Sequence, residues 1–320
     1  LDVIAEQAIA AVFGGIASII IYIVGALLGV ATKALIFLAN YDKIADQEIV
    51  IIGWQQVRDL CNMFFILILL LIAFGTILRR EDYNVKRLLP KLLMMAVLIN
   101  FSRAICDFII EFSQVIMNTF VGAVNANGAG LINLMGVDDY LKGTRAAVFS
   151  GKDLNLLSTV AGLGLAVVFI MIALVVVLAF MGVLLTRIVM LWIYVVLSPL
   201  AYLLAAFPQG QQYSNRWWSE FSKYVITGPV LGFFLWLAVK SAEANMIPVT
   251  DNACYGPNDI LCLDAFLGFI LGIAFLLGGL KITSEIGGVV GTAAGTGMGW
   301  VNSGKAYTVR LSRSTAARGV

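Results

Sequence analysis

Residues 156–207, LLSTVAGLGLAVVFIMIALVVVLAFMGVLLTRIVMLWIYVVLSPLAYLLAAF, carry a single charged side chain, Arg187. A helix crosses a hydrocarbon core of roughly 30 Å with about 20 apolar residues, so this stretch is too long for one crossing. It also has no turn with which to make a hairpin. Irregular backbone cannot lie bare in lipid. The reading that respects both facts is one overlong helix that carries Arg187 past the cytoplasmic interface and is broken around LSPL at Pro199, where the ring removes a helical N–H. LAYLLAAF then lies along the inner surface or re-enters it. The following PQGQQYSNRWWSEFSKY, with Trp217, Trp218 and Tyr224, is the aromatic segment expected at headgroup level. Trp54 and Trp300 are candidate interfacial anchors of the same kind.

The same length criterion finds further spans near residues 8–40, 55–78, 88–120, 224–240 and 261–285, giving about six transmembrane helices. Composition agrees: 61% of the 320 residues are hydrophobic and 12% charged, and the mean hydropathy is +0.95, which no soluble domain of this size can hide from water. Long unbroken apolar runs exclude a transmembrane barrel, whose strands alternate over short segments. The expected fold class is therefore all-α, a polytopic membrane protein. A net charge of +2 gives no ground for direct sequence-specific nucleic-acid binding.

Charge placement suggests an orientation. The linker RREDYNVKRLLPK holds Arg79, Arg80, Lys86, Arg87 and Lys91, and the tail holds Lys305, Arg310, Arg313 and Arg318. The positive-inside rule makes both cytoplasmic, so both termini are predicted inside. Residues 41–54, 121–155 and 246–262 then face outward. Cys254 and Cys262 flank YGPNDIL in the last of these, and in an oxidising compartment they would close a disulfide. Cys61 and Cys106 fall within spans and read as packing residues.

One span is not uniformly apolar. In LINFSRAICDFIIEFSQ, residues 98–114, the polar side chains Asn100, Arg103, Asp107, Glu111 and Gln114 recur at steps of three and four. Counting ~1.5 Å per residue from Lys91 puts Arg103 roughly 18 Å deep and Asp107 at about 24 Å. Their four-residue spacing lets them pair on one face, and a lone arginine there would cost at least ~2.5 kcal/mol. The stripe must face protein or water, and Arg58, Asp59 and Asn62 of the preceding span are its candidate partners. Three roles are open to it: glue between helices or subunits, the lining of a wet conduit, and proton coupling.

Nothing in the sequence announces an enzyme, a metal site or a cofactor. There are no histidines, which removes His-based triads and most zinc sites. GWVNSGKA, residues 299–306, has the Gly-x4-Gly-Lys spacing of a phosphate loop but Ala306 where the magnesium-binding hydroxyl belongs, and it follows no buried strand. Gly287, Gly291, Gly295 and Gly299 recur every four residues. On a helix they would form a close-packing face, but they also make the helix marginal outside the bilayer.

WQQVRDLCNMFFILILLLIAFGTIL, KLLMMAVLINFS and TRIVMLWIYVVLSPLAYLLAAFP followed by RWWSEFSKYVITGPVLGFFLWL resemble the TrbL-type polytopic inner-membrane subunit of bacterial type IV secretion and conjugation systems. The most telling element is an arginine-bearing helix leading to SPLAY, a loop, and tryptophans before the next span. The resemblance covers residues 54–240. It implies a homo-oligomeric channel or scaffold component that works with partner ATPases and pilus or stalk proteins to pass protein or DNA–protein substrates. Family members often carry a larger outer central domain, whereas residues 121–155 are short.

The expected organisation is a membrane helical domain over residues 1–245 with the TrbL-like core at 54–240. An outer loop with the disulfide follows at 246–262, then a last transmembrane helix at 263–286 and a Gly-rich, then basic, cytoplasmic tail at 287–320. The competing class is an autonomous ion-coupled transporter or channel using Arg103 and Asp107. Such proteins often repeat their halves around broken helices, and no repeat is visible. A third class, a membrane-assembly scaffold, would show a lipid-open amphipathic groove.

Overall fold

A computed structural model of the chain describes residues 2–41, 43–78, 85–126, 156–206, 208–243 and 263–286. These residues build six α-helices: α1 (Asp2–Ala39), α2 (Glu48–Ile77), α3 (Val85–Ala126), α4 (Leu156–Ala205), α5 (Gln211–Glu243) and α6 (Leu263–Ile286), with a 3₁₀ turn Pro208–Gly210 before α5. Five of them, α1 to α5, are long and apolar enough to cross a membrane. The chain is an all-α multi-pass membrane protein. The cysteines Cys254 and Cys262, the glycine series, the phosphate-loop look-alike and the basic tail lie outside the described residues.

The helix ends follow from local chemistry. At α2, the extended Gln47 precedes Glu48, and the Gln47 carbonyl accepts from the N–H groups of Val50 and Ile51. Glu48 places a negative charge at the positive end of the helix dipole. At the end of α1 both the backbone N–H and the side-chain amide of Asn40 bond the Ile36 carbonyl, which satisfies one of the otherwise unpaired final carbonyls.

The fourth helix differs from expectation. Instead of breaking at Pro199, α4 runs unbroken for 50 residues to Ala205 with Pro199 inside it, a length of ~75 Å. Pro199 has no N–H for the Val195 carbonyl, but the Ser198 hydroxyl donates to that carbonyl at 2.8 Å. A neighbouring serine thus supplies the bond the ring took away. The interruption comes later, at residues 206–210. Nor is the aromatic segment a separate surface piece, because α5 is continuous from Gln211 through the whole apolar run to Glu243.

Every other helix packs on α4, and α5 also packs on α3 and α6. The main apolar core joins Leu28, Leu35 and Ala39 of α1, Ile110 and Met117 of α3, Val176, Phe180 and Leu191 of α4, Tyr224 and Leu231 of α5, and Leu276 of α6. Helix α2 uses a different stretch of α4. Its Cys61 packs with Ile99, Tyr202 and Leu203, and its Ile72 with Leu92 and Ala206. Most of α2 faces outward, including Ile66, Leu67, Leu70 and Phe74, an apolar surface suited to lipid or to another protein.

The α5–α6 contact depends on the absence of a side chain. A Cβ at Gly279 would lie 2.9 Å from the Cβ of Phe234 and 3.2 Å from the ring of Phe180, whereas one at Gly278 would meet Phe234 at an ordinary 3.6 Å. Gly279→Val should therefore lower the thermal stability of the purified protein by about 1–3 kcal/mol. Gly278→Ala should leave it nearly unchanged, as read by fluorescence-monitored melting.

Candidate functional site

Among the described residues, the most connected polar group in the interior of the bundle is centred on Arg187. Arg187 lies near the middle of the apolar 170–205 stretch of α4 and is 1% exposed. The apolar length of α4 suggested a side chain carried past the cytoplasmic interface; the structure encloses it among neighbouring helices. Its Nε donates to the Tyr224 carbonyl of α5 at 3.1 Å. Its Nη1 donates to Gln114 Oε1 of α3 at 3.1 Å and lies 3.7 Å from the Met117 sulfur. Its Nη2 reaches Ser113 Oγ at 3.4 Å.

Each acceptor is held from behind. The Ser113 hydroxyl donates to the Val225 carbonyl at 2.6 Å. Gln114 Nε2 donates to the carbonyl of Ala39, the last residue of α1, at 2.8 Å, and lies 3.4 Å from Asn118 Oδ1. Four helices, α1, α3, α4 and α5, therefore meet around one guanidinium. The i to i+1 pair Ser113–Gln114 faces three helices at once, because Gln114 reaches α1 and α4 while Ser113 reaches α4 and α5.

Two residues of α5 make the space. A Cβ at Gly228 would run into the Arg187 guanidinium carbon and come within 2.6 Å of Nη2 and 2.8 Å of Nε. The guanidinium is the end of a flexible chain, but here it can move only by abandoning its buried bonds. Next to it stands Pro229, inside the helix, and its missing N–H is the one that would have bonded Val225. That freed carbonyl is the acceptor Ser113 uses.

The partners of Arg187 are all neutral. Among the described residues the ion pairs are Arg58–Asp59, Arg103–Asp46 and Lys223–Glu220, and the buried polar residues include no carboxylate. A charge taken from water without a counter-ion is tolerated only when its hydrogen bonds are met. Here the planar fork is met by carbonyl, amide and hydroxyl oxygens.

The expected polar stripe divides in two. Gln114 joins the node. Arg103 does not pair with Asp107. Its Nη2 lies 2.6 Å from Asp46 Oδ1, so the connection between α1 and α2 provides the carboxylate and sits level with mid-α3. Asp107 is half-buried and Glu111 exposed. Asn100 is exposed and returns its amide to the Ala96 carbonyl. The candidate partners on α2 stay apart from this group: Arg58 bonds its neighbour Asp59 at 2.8 Å and lies 4.9 Å over the Trp54 ring, while Asn62 is exposed. Among the described residues no cluster of acidic or cysteine side chains is arranged to hold a metal.

Trp54, Trp217 and Trp218 pack against the bundle, and Trp300 lies outside the described residues. Trp54 is buried and its indole N–H donates to Ser102 Oγ at 2.9 Å. Trp217 stacks on Phe221 at 5.1 Å and meets Tyr194 and Trp218 edge-on, and Trp218 packs edge-on to Tyr202. The aromatic signal marks where α5 packs on the C-terminal part of α4.

A family model described as TrbL/VirB6 plasmid conjugal transfer like protein matches residues 53–317. The chain belongs to this family. The match takes in α2 to α6 and runs well beyond residue 240, where the quoted motifs stop, so the Arg187 node falls inside it except for Ala39. No curated protein and no solved structure matches the chain.

Sequence reasoning missed Arg187 as a core residue, although the signal was present. A single charge in the middle of an apolar run, a Ser–Gln pair in the preceding span and a Gly–Pro pair in the following one are the parts of this node. Removing the cation should be far more damaging than opening the half-exposed Arg103 pair. Arg187→Leu strands several buried acceptors and should cost about 3–5 kcal/mol, whereas Arg103→Leu should cost about 1 kcal/mol or less. The yield of monodisperse protein after detergent extraction, compared side by side, checks the order.

Proposed function

We propose that the protein is an inner-membrane channel or scaffold component of a type IV secretion system, without enzymatic activity of its own, which supports transfer of protein or DNA–protein substrates across a bacterial envelope. The family match over residues 53–317 carries this reading. Its partners are then the secretion ATPases and the pilus or stalk proteins of the same machine. Both termini face the cytoplasm in this reading, as the basic linker and tail argue.

The form of the bundle supports a channel or scaffold component over a self-contained ion pump. The ion-coupled alternative puts Arg103 and Asp107 on an ion path, with titratable side chains facing the interior of the bundle. Among the described residues, the one charged side chain in the core is a guanidinium whose three nitrogens each have a neutral acceptor, and a fixed positive charge repels cations and protons. Asp107 and Glu111 lie toward the outside of α3. Their half-open position, together with the largely uncovered α2, supports contacts between copies of this chain in a homo-oligomer.

Native extraction of the tagged protein from its membrane, followed by identification of what co-purifies, tests the assignment. Secretion ATPases and envelope-channel proteins are expected in the complex, and a single copy per particle is not. A solitary monomer that sustains ion flux in sealed vesicles would overturn the proposal in favour of the transporter.

A further inference from the structure

Helix α5 carries its Gly–Pro pair at the point where its packing partners change. Before it, Trp217, Trp218 and Phe221 pack on Tyr194 and Tyr202 of α4. Beyond it, Phe233 and Trp236 pack on Phe120 of α3, and Phe234 and Ala238 lie against Gly279 and Gly272 of α6. The aromatic contacts of the first half thus run to α4 and those of the second to α3, with α6 against the second half and α3 also reaching Val225 in the first.

A proline in a helix interior removes one main-chain bond and crowds the carbonyl four residues earlier, which loosens the helix there. A preceding glycine, with no Cβ, lowers the cost of bending further. In α5 that carbonyl is Val225, and it is not left open: the Ser113 hydroxyl bonds it at 2.6 Å. One turn of α5 is therefore completed by a side chain from α3. The Arg187 guanidinium fills the notch at Gly228 and bonds the Tyr224 carbonyl on the same turn.

We propose that Gly228–Pro229 is a hinge in α5, and that Ser113 of α3, backed by Arg187 of α4, is the latch holding it closed. Releasing the latch lets the aromatic half, residues 211–228, swing relative to the half bound to α3 and α6. The latch is a neutral hydrogen bond to a main-chain oxygen, of modest net strength. It is thus strong enough to select one arrangement and weak enough to be released when a neighbouring protein pulls on the α4–α5 turn. This conformational role does not depend on the transfer function proposed above.

The logic of a side chain replacing a missing N–H gives a decisive test. Spin labels at Tyr213→Cys on the first half of α5 and Ile270→Cys on α6, both exposed positions, report the angle across the hinge. The measurement is a pulsed-dipolar distance distribution on the full chain in lipid nanodiscs, with the four native cysteines replaced by alanine. The parent should give one narrow distance, and Ser113→Ala should add a second population. Pro229→Ala restores the N–H that bonds Val225, so Ser113→Ala placed on Pro229→Ala should stay narrow. Recovery of folded protein only when Ser113→Ala is combined with Pro229→Ala would support the latch equally. An unchanged distribution in Ser113→Ala, equal broadening in both backgrounds, or loss of the folded protein in both would overturn it. None of these outcomes depends on whether the chain co-purifies with secretion proteins.

Discussion

A guanidinium buried among apolar helices cannot be left with open donors, and that constraint organises this molecule. Arg187 sits at 1% exposure with no carboxylate beside it, so its charge is tolerated only because carbonyl, amide and hydroxyl oxygens close on it from two other helices. Each of those oxygens needs its own support. Gln114 reaches the terminal carbonyl of α1, and Ser113 reaches a carbonyl that Pro229 has set free. The requirement of one side chain therefore fixes the relative positions of α1, α3, α4 and α5.

The same principle explains how Pro199 and Pro229 sit in long helices without ending them. In α4 the freed Val195 carbonyl is served by Ser198 from the adjoining position, a local solution that leaves the helix independent of its neighbours at that point. In α5 the freed Val225 carbonyl is served from α3, a tertiary solution that ties the turn to the bundle. The first proline is a closed matter within one helix. The second makes the shape of one helix depend on another, and that difference is why the hinge is assigned to Pro229 and not to Pro199.

Much of the architecture was legible from composition and run length. The apolar stretches located each of the six described helices, the arginine-bearing helix leading to SPLAY and the later tryptophans pointed to the right family, and the cysteines Cys61 and Cys106 are the buried packing residues expected. The polar stripe on α3 was visible, but its partners were not. Four-residue spacing permits Arg103 to pair with Asp107 without requiring it, and Asp46, more than fifty residues earlier, offered a carboxylate from a connection that periodicity could not place.

The sequence by itself determined that the chain is helical and membrane-embedded, since apolar runs this long cross lipid as helices and not as the short alternating strands of a barrel. It also determined the family, through the order of its motifs. Only the tertiary structure decided what Arg187 does. A lone charge in an apolar run reads equally as the end of a span or as a core residue, and the answer depends on whether acceptors arrive from elsewhere. Those acceptors lie about forty and seventy residues away along the chain, and only the packed bundle brings them within 3.1 Å.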